Sequence, residues 1–253
     1  MRRWLLVCEG PTDHDVVTTL VDRTLHPELL SVGLDANIPH LRAYVGASAN
    51  ESHLRWSEVK TRFDRIGLRM IPGKFGGDHR SGSFVEARKA LRLATKLGDV
   101  DAVILVRDQD RDETDRRRAF EEARRVEDWE DRAVIGVPIP EVEAWVLVGF
   151  QPKDDDETRR LAEERTRLGF DPTLKPEDLN PGRDHDQDGQ PIKKAIKPIL
   201  ERLTGGDPER RGVCVRTTSF EQLRARGEGC GLTAFLDDLA ARRLADRLGG
   251  PAA

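Results

Sequence analysis

The sequence predicts an α/β fold: a doubly wound, mainly parallel four-stranded sheet over residues 1–150, followed by a mostly helical C-terminal region over residues 151–253. Three observations carry that prediction. Two wholly apolar runs of strand length, WLLVC at Trp4–Cys8 and AVILV at Ala102–Val106, stop at polar, turn-forming residues, as strands covered on both faces do. Between such runs lie segments whose apolar residues recur at helical spacing, for example Val16, Val17, Leu20, Val21 and Leu25. Strands alternating with helices of this length connect by right-handed crossovers, which place helices on both faces of a parallel sheet.

Trp4–Cys8 is the first strand and ends at Glu9-Gly10-Pro11, with Thr12 or Asp13 capping the helix behind it. Ile38–Val45 reads as the second strand, and Glu51–Ile66, with Leu54, Val59, Phe63 and Ile66, as a weakly periodic helix. Gly73–Gly82 is a basic, glycine-rich loop before a helix from Ser83 to Leu97. Ala102–Val106 is the third strand. The segment over residues 111–130 is so charged that Ala119, Phe120, Ala123 and Val126 form its only apolar stripe, which makes it a surface helix. Ala133–Pro138 is the fourth strand. Past the polar linker Gln151–Asp156 helices dominate, broken by the loop Pro172–Gln190, with Val213–Val215 as a candidate edge strand. Trp129 and Trp145 read as apolar anchors of helices.

The composition sets limits. Of 253 residues 37% are hydrophobic and 35% charged, enough apolar material for a core under a charged surface. With 42 basic against 46 acidic residues and a net charge of -4, there is no global positive field, so nucleic-acid binding would use local patches. Cys8, Cys214 and Cys230 lack metal-ligand spacing and read as buried thiols. No signal or membrane segment is expected, and a cytoplasmic protein follows. There is no Gly-x-Ser-x-Gly elbow and no P-loop spacing. The loop Asp184–Gly189 lacks the glutamate of a calcium loop.

Open α/β sheets carry their chemistry at the carboxyl ends of the strands. The first strand leads into Glu9 and Asp13, the third into Asp108-Gln109-Asp110. If these strands are neighbours, Glu9, Asp108 and Asp110 converge on a distance that one divalent ion bridges. Carboxylates gathered without a cation repel one another, so a metal is the simplest reason to collect them. Mg²⁺, with Mn²⁺ as substitute, takes such oxygen ligands. Each acid taken singly reads more simply as a loop residue or helix cap. Glu141 and Glu143 follow the fourth strand at a helix start, where the dipole favours carboxylates; they offer a second metal site or a cap. Lys74 and Arg80 in the glycine-rich loop are candidate phosphate contacts, against the plainer reading of a surface loop. Lys193 and Lys194 are candidates to neutralise a scissile phosphate, although Lys-Lys-x-x-Lys with Lys197 is also the pattern of a solvated helix face.

The segment LLVCEGPTDHDVV, with Glu9, Gly10 and Asp13, and the segment AVILVRDQDRDE, with Asp108 and Asp110, resemble the two acidic motifs of the Toprim domain of topoisomerases, primases, recombination proteins and OLD-type nucleases. Three further segments, Ile139–Trp145, Pro191–Lys194 and Cys230–Leu236, extend the likeness over most of the chain. With them the chain is similar to a bacterial Toprim-like family related to OLD-type nucleases and often encoded beside ABC- or AAA-type ATPases in loci attributed to phage defence. The resemblance implies Glu9 as metal ligand or general base, Asp108 and Asp110 as Mg²⁺ ligands, and Lys193 as a late catalytic lysine. It implies an endonuclease acting on nucleic acid, DNA favoured over RNA, with an ATPase partner. A regulatory or effector subunit inactive alone, and a small-molecule phosphatase or nucleotide hydrolase, are the competing functions; a homodimer is left open.

Overall fold

The structure, a computed structural model, describes residues 1–27, 37–48, 50–68, 81–109, 115–182, 193–242 and 244. The chain divides into two compact units, the first of Met1–Arg107, Arg111–Val137 and Asp237–Ala253, the second of Asp108–Asp110 and Pro138–Leu236.

The first unit is α/β. Its strands are β1 (Arg2–Cys8), β2 (Arg42–Val45), β3 (Leu54–Arg55), β4 (Ala102–Val106) and β5 (Ala133–Gly136). Their order is β2-β1-β4-β5 with β3 also on β1, and every pairing is parallel. The sheet therefore has five strands, not the expected four. The addition, β3, lies where a helix was expected to begin at Glu51. Its two residues pair with Val7 and Cys8, too short a run for periodicity to register. The expected strand Ile38–Val45 is also shorter than predicted. Ile38–Leu41 forms a helical turn, here α2, with a proline in its first turn, the place where a missing N–H does no harm.

Helices cover both faces of the sheet. On one face Leu5, Val7, Val103, Leu105, Ala133 and Ile135 pack against α3 (Trp56–Arg65), α4 (Gly82–Leu97) and α5 (Arg116–Val126) through Val59, Phe63, Phe84, Leu91 and Phe120. Trp56 ties that layer to the sheet: its indole N–H donates to the Val106 carbonyl at 2.6 Å and its ring lies 5.3 Å from that of Phe120. On the other face Tyr44 stands in register with Trp4 and donates its hydroxyl to Asp22 of α1 (Pro11–Leu25) at 2.7 Å. The buried Arg42 guanidinium stacks 4.9 Å from the Trp4 ring and pairs with the same Asp22. Helix α4 runs within one residue of its expected span, because both ends carry signals. Ser81 accepts the Phe84 N–H at 3.3 Å, and Gly98 takes the left-handed φ of 78° that closes the helix.

The second unit packs helices around α6 (Glu143–Val148), which contacts α8 (Ile196–Thr204), α9 (Pro208–Thr217) and α10 (Phe220–Arg226). α7 (Asp155–Leu168) lies against α8. Trp145 is fully buried, donates to the Cys230 carbonyl at 3.0 Å and stacks on Phe235 with ring centroids 4.9 Å apart. Val213–Val215 is not an edge strand but lies within α9. Asp207 and Pro208 start that helix, and Gly149 admits the Cys214 carbonyl so closely that any side chain there would collide with it. No described helix is long and apolar enough to cross a membrane.

The last helix, α11 (Leu232–Ala241), returns residues from Asp237 onward to the first unit. There Asp238, 7% exposed, accepts the Ile135 N–H at 2.9 Å and Arg124 Nη1 at 2.7 Å. Removing one partner of such a pair strands the other charge. Asp238→Ala should lower unfolding stability by about 3 kcal/mol, measured by urea denaturation. A loss below about 1 kcal/mol, the range of exposed pairs, would contradict this account of the interaction.

Candidate functional site

In the second unit, Asp108 and Gln109 are fastened to the segment that precedes α6. The Gln109 N–H donates to the Pro138 carbonyl at 2.9 Å, and Asp108 Oδ1 accepts the Val142 N–H at 3.1 Å. Two further acids flank Val142. Glu141 is buried, and its Oε1 accepts the Gly182 N–H at 3.0 Å. Its Oε2 is buried without a directed hydrogen bond and faces Lys197 Nζ at 3.3 Å. The same ammonium stands 3.8 Å from Glu143 Oε1.

The fold brings Lys197 there for a local reason. A parallel bridge between Asn180 and Ala195 fixes the start of α8, with the Asn180 N–H on the Lys194 carbonyl at 2.8 Å and the Ile196 N–H on the Asn180 carbonyl at 3.1 Å. Ile196, Ile199, Leu200 and Leu203 then bury one side of α8, and Lys197, in its first turn, meets the acids. Burial by itself would lower the ammonium's pKa. Glu143 and Glu141, with Asp108 adding to them, outweigh that effect and hold it above its ordinary value.

The sequence offered Lys197 as part of a solvated lysine face; its side chain is half exposed, and its ammonium nevertheless meets Glu141 and Glu143. Lys193 is exposed, with its carbonyl accepting from Arg167. Lys194 lies with Nζ 5.0 Å from the Phe170 ring centroid.

In the first unit, Asp13 lies in the first turn of α1, whose N-cap is Gly10 and not the expected Thr12 or Asp13; its carboxylate accepts the Glu9 N–H at 2.9 Å and so ties the end of the strand to the helix. Glu9 has a half-exposed side chain, with Oε1 3.9 Å from Arg107 Nε. Arg107 pairs in turn with Glu86 and lies 5.3 Å from the Trp56 ring centroid. Asp110, Lys74 and Arg80, together with His79 and His185, lie outside the described residues.

Among the described residues no three His, Cys, Asp or Glu side chains are grouped so that they could hold a metal ion. The donor chemistry around Lys197 nevertheless suits a hard divalent ion. Every donor is a carboxylate oxygen, and Glu141 Oε2 is a buried anionic atom already facing a cation. No family model matches the chain, and neither a curated protein nor a solved structure matches it.

The cysteines offer no nucleophile. Burial pushes the thiols of Cys8 and Cys230 up to about 12 and that of Cys214 up to about 11, with the Asp13 carboxylate adding to the effect at Cys8. A thiolate is the reactive form. At about pH 8, near the pKa of a free thiol, the native protein should therefore give no rapid reaction with Ellman's reagent. All three thiols should react after denaturation. A thiol of the native protein that reacts within seconds would contradict this burial.

Proposed function

We propose that the chain is a Toprim-like, metal-dependent phosphodiester hydrolase: an endonuclease acting on nucleic acid, with DNA favoured, in the bacterial cytoplasm as part of a phage-defence system with an ATPase partner. The observation that carries the chemical part is the meeting of Asp108, Glu141 and Glu143 with Lys197 in one unit. The nucleic-acid substrate, the defence setting and the partner come from the motif resemblance.

A divalent ion such as Mg²⁺ or Mn²⁺, when bound, would supply Lewis acidity at the phosphoryl group and lower the pKa of a bound water. Asp108, Glu141 and Glu143 are the residues of the second unit that would hold it, joined by Asp110 on the strength of the D-x-D motif. Glu9, which follows β1 in the first unit, keeps the part of general base that the motif resemblance implies. Lys197 takes the part that the sequence suggested for Lys193. Its ammonium is charged at neutral pH, and a positive charge close to the reacting group would stabilise the charge that builds on a phosphate in the transition state.

The test is cleavage of plasmid DNA and of structured RNA by the purified chain with Mn²⁺. Asp108→Ala, Glu141→Gln and Glu9→Ala should each lower the rate by on the order of 100-fold, with unchanged circular dichroism. Cleavage that survives Asp108→Ala would contradict the proposal. Turnover of nucleotides without polymer cleavage would move the substrate from nucleic acid to a small phosphate ester.

A further inference from the structure

We propose that Lys197 is an internal cation competing with the divalent ion for Glu141 and Glu143, so that metal loading requires its ammonium to leave these carboxylates. The inference rests on the metal-dependent reading above and adds a step to it. It starts from an asymmetry in exposure: the side chains of Glu141 and Glu143 are 10% and 12% exposed, whereas that of Lys197 is 51% exposed. Carboxylates so nearly buried are costly to leave without a cation. In the structure, Lys197 supplies one, at 3.3 Å from Glu141 and 3.8 Å from Glu143.

The three groups differ in their freedom to move. Glu141 is tied by Oε1 to the Gly182 N–H, and Glu143 stands at the start of α6, whose next five residues, Ala144–Val148, are all buried. Lys197 hangs from the first turn of α8 on a flexible four-carbon stem, with half of its side chain already in water. An ammonium and a dication cannot both contact the same carboxylate oxygens without strong repulsion. The lysine is therefore the group that yields. On this account Lys197 keeps the acids neutralised while no metal is bound and holds metal affinity below what the carboxylates alone would provide.

The experiment is titration of the full chain with Mn²⁺ by calorimetry, beside thermal unfolding without metal. Lys197→Met should bind Mn²⁺ on the order of tenfold tighter than wild type, and should melt at a lower temperature without metal because Glu141 loses its cation. Lys197→Arg keeps the charge, preserves the fold and forks more firmly onto carboxylates, so it should bind Mn²⁺ more weakly than wild type. Lys193→Met removes the same charge from an exposed neighbour and should change neither quantity. Equal Mn²⁺ affinity in Lys197→Met and wild type would overturn the inference while leaving the metal-dependent function standing. So would an equal gain from Lys193→Met, which would mark a general charge effect. If neither wild type nor any variant binds Mn²⁺, the inference and the function proposed above fall together.

Discussion

The parallel pairing of β1 with β4, with Val7 opposite Leu105, is the contact on which the rest of the first unit is built. β1 has partners along both edges, β2 and β3 on one side and β4 on the other. Its backbone polar groups are thus spent within the sheet, and both faces are left for helices to cover. That demand explains why Trp4–Cys8 is apolar without alternation. The same register determines what leaves the sheet. Glu9 emerges within 3.9 Å of Arg107, the residue that follows β4, and Asp108 is the next residue along the chain. A polar loop begins there because the sheet ends there, and the carboxyl ends of parallel strands are where an open α/β fold can present side chains.

Buried charge is the second constraint, and the molecule meets it in two different ways. Arg124 with Asp238 and Arg210 with Glu157 are pairs in which both side chains are below 10% exposed. Each is an arginine that places more than one hydrogen bond, on the carboxylate and on a backbone carbonyl. Such pairs lock one geometry. Glu141 and Glu143 instead share a half-exposed lysine, at 3.3 and 3.8 Å, and Glu141 Oε2 has no directed hydrogen bond. An arrangement of that kind neutralises charge without fixing it. That difference separates the candidate site from these structural ion pairs.

Much of the fold was legible in residues that act locally. WLLVC and AVILV are strands because a continuous apolar run bounded by turn residues has few other uses in a soluble domain, and α4 carried its own cap and its own terminating glycine. What escaped depended on contacts between distant segments. β3 is only two residues long and exists because Leu54 and Arg55 find an open edge of β1. Val213–Val215 is apolar enough for a strand, yet the packing of α9 on α6 made it helical. The site divides in the same manner. Asp108, Glu141 and Glu143 stood out as acids after strands, whereas Lys197 in a run of lysines gained meaning only when α8 carried it to residues more than fifty positions earlier.

The central claim is that the carboxylates of the second unit share one cation position, held by Lys197 in the structure and open to a divalent ion. The most direct measurement is anomalous diffraction from a crystal soaked in Mn²⁺. The account predicts a manganese peak bonded to oxygens of Glu141 and Asp108 or Glu143, with the Lys197 ammonium moved away from its 3.3 Å contact. A soaked crystal in which that contact persists, with no anomalous density beside these acids, would contradict it.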